Sequence, residues 1–150
     1  MNSYEINKNT VAILPLGEEK SKIIELDNTF IVNMNSMKII ERSCKYFGST
    51  YLGRHEGTKM LTGITHKTPI IIEESRNMIY FPTTSPRLSK CAWFALKHIA
   101  NYVNYNGKSL ITFENGKKME LNLSFGSFDN QFLHATKLES MLMKRKQTID

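Results

Sequence analysis

A chain of 150 residues with 41% apolar content can build one hydrophobic core and is too short for two ordinary domains. A charged fraction of 23% beside that apolar content excludes the composition of a disordered chain, and a net charge of +6 favours anionic partners. No apolar run reaches membrane-spanning length, and the opening MNSYEINKNT has neither the basic start nor the apolar stretch of a signal peptide, so a cytoplasmic protein is expected.

The first predicted elements are strands. TVAILPL, from Thr10, is a short apolar run; SKIIEL and TFIVNM then flank Asp27-Asn28, two residues that tolerate the positive φ of a tight turn. Ser36 is placed to cap a helix in which Met37, Ile40, Cys44 and Phe47 recur at helical spacing, with Gly48 where a left-handed C-terminal cap belongs. On that helix Lys38, Arg42 and Lys45 form one exposed basic stripe. A glycine-punctuated loop carrying Tyr51, Arg54, His55 and Lys59 is expected next, its flexible backbone able to approach a phosphate closely.

Further along, TPIIIEE and NMIYFPT flank a polar Ser75-Arg76 turn and read as a hairpin. The segment from Lys90 to Tyr105, closed by Asn106-Gly107, is read as a helix through Ala92, Leu96, Ile99 and Val103, with a strand as the alternative because it is apolar on more than one face. SLITFENGKKMELNL is the clearest hairpin. A three-residue Glu114-Asn115-Gly116 loop with a left-handed Gly puts Ile111, Phe113, Met119, Leu121 and Leu123 on one face, whereas a two-residue loop would mix them with Lys118 and Glu120. Ser127 is placed to cap a last helix with Phe128, Phe132, Ala135, Leu138 and Leu142 on one face. Its final turn, Lys144-Arg145-Lys146, suits the negative end of the helix dipole. The expected fold is α+β: a single domain, residues 1–150, of antiparallel hairpins with two or three helices, one of them C-terminal and amphipathic.

Charge is uneven along the chain. Lys38, Arg42, Lys45, Arg54, Lys59 and Lys67 face only Glu41 and Glu56 between residues 28 and 67, and Arg87, Lys90, Lys97, Lys108, Lys117 and Lys118 face only Glu114 between residues 84 and 118. Two such blocks are the footprint of a nucleic-acid binder or, on the plainer reading, a solvated surface. Enzyme templates fail on residues they require. Gly48 and Gly53 have P-loop spacing, but Arg54-His55 stand where Lys and Ser/Thr belong; Gly107-Lys108-Ser109 has Tyr102 in place of the first Gly. His55-Glu56 opens like a zinc-protease motif, yet Lys59 occupies the second histidine position. A Cys/His pair would meet in space rather than in sequence, and nothing local singles out Cys44 or Cys91, which read as reduced, buried thiols. No enzyme, cofactor or metal is expected. The candidate contacts to an anionic polymer are Lys38, Arg42, Lys45, Arg54, His55, Lys59, Lys67, Arg87 and Lys90.

The segment ERSCKYFGSTYLGRHEGT, from Glu41 to Thr58, resembles the signature of the ComK family of competence transcription factors, regulators that switch on DNA-uptake genes. The likeness extends through Tyr4-Glu5-Ile6-Asn7, Ala12-Ile13-Leu14-Pro15, Ser21-Lys22-Ile23-Ile24-Glu25, His66-Lys67 with Pro69-Ile70, Phe81-Pro82-Thr83, Cys91 with Trp93, Thr112-Phe113 with Asn115-Gly116-Lys117, Ser127-Phe128 and Asn130-Gln131. The resemblance implies activation of competence genes by binding paired A/T-rich promoter boxes, largely through the minor groove, with several subunits per site and bending of the DNA. Homo-oligomers, RNA polymerase and nucleoid association belong to the same expectation. Family members usually continue past the point matched by Gln131–Met143 into a segment with a site for a protease adaptor. Here the sequence stops at Asp150, so the adaptor contact is expected to be missing, and a shortened, inactive or modulatory member acting through full-length partners is the alternative function.

Overall fold

The computed structural model describes residues 1–149, and the chain folds as α+β with nine antiparallel strands in two sheets and three helices. Strands β1 (Thr10–Leu16), β2 (Lys20–Glu25) and β3 (Thr29–Val32) form a meander. Helices α1 (Ser36–Tyr46) and α2 (Tyr51–Thr62) follow, then strands β4 (Ile70–Glu73), β5 (Met78–Pro82) and β6 (Trp93–Ala95). One 3-10 turn over Leu96–His98 leads into β7 (Ile99–Tyr105), β8 (Lys108–Phe113) and β9 (Lys118–Ser124), and α3 (Phe125–Ile149) closes the chain. The six-stranded sheet runs β3-β2-β1-β6-β5-β4 and the three-stranded sheet β7-β8-β9.

Alternation along the central strands builds a core on each face of the large sheet. Ile13, Ile70, Ile72, Met78, Tyr80, Trp93 and Ala95 point to one face, where Ile39, Ile40 and Cys44 of α1 and Tyr4 and Ile6 of the N-terminal segment cover them. Ala12, Ile71, Ile79, Phe81 and Phe94 point to the other, against Ile111 and Phe113 of the small sheet and Phe128, Ala135, Leu138 and Leu142 of α3. Period-2 placement with both faces buried is why MIYFP and WFA are apolar throughout.

That double burial overturns the helix read over Lys90–Tyr105. Its apolar breadth comes from β6, buried on both faces, and the chain then bends through the 3-10 turn to become an edge strand of the second sheet. Asn106 and Gly107, both left-handed with φ of 53° and 85°, close the two-residue β7–β8 hairpin instead of ending a helix. The β8–β9 hairpin has the bulged register: Ile111 lies opposite Met119, Thr112 opposite Lys118, and Gly116 is left-handed with φ 86°.

Three local readings shift. Asn35, not Ser36, caps α1, its Oδ1 accepting from the amides of Met37 (2.8 Å) and Lys38 (3.3 Å), while the Ser36 hydroxyl is buried 2.8 Å from that of Ser21. Ser124 caps α3 by accepting from the Ser127 amide at 3.2 Å. The turn read at Asp27-Asn28 sits one residue earlier and has no left-handed residue: Glu25 and Asn28 exchange two backbone hydrogen bonds around Leu26-Asp27.

Candidate nucleic-acid interface

Gly48 lies in the left-handed region (φ 85°) and the amides of Gly48 and Ser49 bond to the carbonyls of Lys45 and Cys44, a Schellman end that turns the chain sharply after α1. Thr50 restarts it: its Oγ1 accepts from the Gly53 amide at 2.9 Å, and α2 runs until left-handed Gly63 stops it. The glycine-punctuated loop expected here is therefore a helix. Two interior glycines cost roughly 1 kcal/mol each, and burying Thr58 and Thr62 and packing Tyr51 and Leu61 on the two cores outweigh that.

Between α1, α2 and the loops that follow β3, α2 and β5 lies a groove. Its larger part, about 1020 Å³, reaches from Lys20 and the N-terminus of α1 to Arg87 and Ser89. Its smaller part, about 400 Å³, is walled by Tyr51, His55, His66, Lys67 and Arg87; both parts share Met37, Pro86 and Arg87. Four of the residues expected to contact an anion, Lys38, His55, Lys67 and Arg87, are brought together here from four separate segments. Lys90 is exposed beside them on the Thr84–Lys90 loop. Lys20 and His66 also line the groove, and sequence reading passed over both: Lys20 lies in an acid-rich stretch, and His66 stands alone unless the 64–69 loop is known to fold against α2. Glu18 and Glu19 bound the groove at the Lys20 end.

The other candidates lie elsewhere. Lys45 is exposed in the last turn of α1, where it complements the dipole. Arg42 is half-exposed with Nε 3.5 Å from Glu5 Oε1, and Lys59 reaches Glu56 at 3.6 Å. Arg54 is half-buried, against the expectation of a polar surface position, because the helical path of α2 turns it inward. Its Nε has no hydrogen-bond partner among the described atoms, and its charge opposes the burial that pushes the Cys44 thiol up to about 11.

Buried polar contacts fix the wall beyond α2. Thr58 Oγ1 donates to the Pro69 carbonyl at 2.7 Å, and His55 Nδ1 is 2.6 Å from Thr68 Oγ1. Gln131 of α3, 2% exposed, donates through Nε2 to the carbonyls of Lys67 (2.8 Å) and Pro82 (2.9 Å), so one side chain ties the loop that carries Lys67 to the end of β5. Lys67 itself is left-handed with φ 49°. Among the described residues no group of three or more His, Cys, Asp or Glu side chains is placed to hold a metal ion, and no helix is long and apolar enough to cross a membrane.

The family described as ComK protein matches residues 1–147. The chain belongs to the ComK family. The Competence transcription factor of Bacillus subtilis (strain 168) is 40% identical over 149 residues, covering 97% of this chain and 78% of that protein. No solved structure matches the chain. Several residues that carried the ComK resemblance have structural work here. Tyr4 donates to Glu25 Oε2 at 2.5 Å, the Ile6 amide donates to Ser43 Oγ at 2.9 Å, and Gln131 ties the Lys67 loop to the end of β5.

Proposed function

We propose that this ComK-family chain is a DNA-binding regulator that activates transcription of competence genes, acting in the cytoplasm on paired A/T-rich promoter boxes as an assembly of several copies. The observation that carries the reading is the groove: Lys38, His55, Lys67 and Arg87 converge on one concave surface, beside the N-terminus of an 11-residue helix whose dipole adds positive potential. Such a surface grips a phosphate backbone without itself reading sequence. Runs of A and T narrow the minor groove and deepen its negative potential, which rewards exposed Arg and Lys on a loop, as Arg87 and Lys90 are. The relative's printed name and the family match support the competence role.

The test is fluorescence anisotropy with a paired A/T-box duplex and a G/C-rich duplex at several salt concentrations. The A/T duplex is expected to bind more tightly, with log Kd rising against log salt by about 0.9 per phosphate neutralised. Equal affinity for the two duplexes would remove the sequence-directed claim, and a salt-independent Kd would remove the phosphate grip.

A further inference from the structure

The Thr84–Lys90 loop joins paired strands β5 and β6 and is closed at its base, where the Thr83 amide donates to the Ala92 carbonyl (2.9 Å) and the Ala92 amide to Thr83 Oγ1 (3.0 Å). Within it, the Leu88 amide donates to the Ser85 carbonyl at 3.0 Å and the Leu88 carbonyl accepts from the Cys91 amide at 3.1 Å. Both backbone groups of Leu88 are thus pinned while its side chain stands 48% exposed between Arg87 and Lys90. Exposed leucines scattered singly need no explanation. Among the large apolar side chains exposed on the described surface, however, Leu88 alone lines the cationic groove.

An apolar side chain on a backbone held by hydrogen bonds among cations fits a partner that is anionic outside and apolar between stacked layers, which is what a duplex offers in its minor groove. We infer that Leu88 is a wedge that enters the minor groove and partly unstacks one base step, while Arg87 and Lys90 hold phosphates on either side of it. The inference rests on the DNA-binding reading and adds to it a mechanism of kinking. Because the loop is already ordered, little conformational freedom is lost when it engages. Flexible pyrimidine–purine steps such as TA, frequent in A/T-rich DNA, are the ones that yield most readily to such insertion.

The experiment places 2-aminopurine at successive steps of an A/T-box duplex with a donor and acceptor dye at its ends. The unmodified protein should raise 2-aminopurine fluorescence at one step and shorten the end-to-end distance. Leu88→Ala should abolish both signals and weaken binding about ten-fold, the worth of one buried leucine side chain, while Leu88→Met retains them. On a duplex with a single-nucleotide gap at that step the deficit of Leu88→Ala should largely disappear, since the stacking is already lost. A/T-selective binding with no fluorescence rise, or with the same bend in Leu88→Ala, overturns the wedge and leaves the DNA-binding reading standing. No A/T preference in the unmodified protein overturns that reading and the wedge with it.

Discussion

Arg54 and Arg87 carry the same charge in opposite surroundings. Arg54 is half-buried beside Cys44, with a guanidinium Nε that finds no partner among the described atoms, whereas Arg87 is exposed where the two parts of the groove meet. An arginine stem packed against neighbours contributes through its methylenes, and an exposed one contributes through its head group. Arg54→Ala is therefore expected to lower unfolding free energy by about 1 kcal/mol, read from the urea midpoint. Arg87→Ala should leave that midpoint in place and weaken A/T-duplex binding on the order of ten-fold, with a salt slope shallower by about 1. The reverse pattern would exchange the two roles. That both residues belong to the two basic blocks of the chain was legible in the sequence. Which one points outward was not, because it depends on whether residues 51–62 coil as a helix, and a helix fixes each side chain's direction where a loop does not.

Element type was legible wherever one periodicity stood alone. The β8–β9 register and the apolar face of α3 follow from a clean period of two and of 3.6, and the structure has both. Two segments were misread for opposite reasons. Lys90–Tyr105 is apolar enough to fit either template because Trp93, Phe94 and Ala95 are buried on both faces of the large sheet, a fact of tertiary packing. Residues 48–62 hold three glycines, and glycine argues against helix on local grounds, yet caps at Thr50 and Gly63 with packing on both sides decide for it. The local penalty is still present and can be measured. A Cβ built at Gly57 meets nothing within 4 Å, and its φ is not left-handed, so Gly57→Ala should stabilise the fold by about 0.5–1 kcal/mol. Thermal denaturation checks it; a lowered midpoint would mean that α2 is not helical at that position. Since Gly57 does not line the groove, DNA affinity should stay unchanged.

Across the whole molecule, the large sheet makes the two cores one structure. Ile13 and Ala12, Tyr80 and Phe81, and Trp93 and Phe94 are neighbours in sequence that enter opposite cores, so neither core can lose its packing without releasing strands that serve the other. Gln131 adds a polar tie from α3 to the loop that carries Lys67 and to the end of β5. A chain of 150 residues built this way should unfold as a single domain in one transition. Two probes report on the two sides: fluorescence of Trp93, the chain's one tryptophan, follows the α1 face, and far-UV ellipticity is weighted towards α3, 25 residues long and packed on the other. In urea the two signals should coincide. Phe128→Ala, which removes a fully buried ring in edge-to-face contact with Phe81, Phe94 and Tyr102, should lower stability by about 3–5 kcal/mol and shift both signals together. A shift in ellipticity alone, with Trp93 still in its native environment, would show that α3 and the small sheet come away as a unit. In that case Lys67, whose carbonyl Gln131 holds from α3, would leave its place in the groove before the rest of the fold was lost.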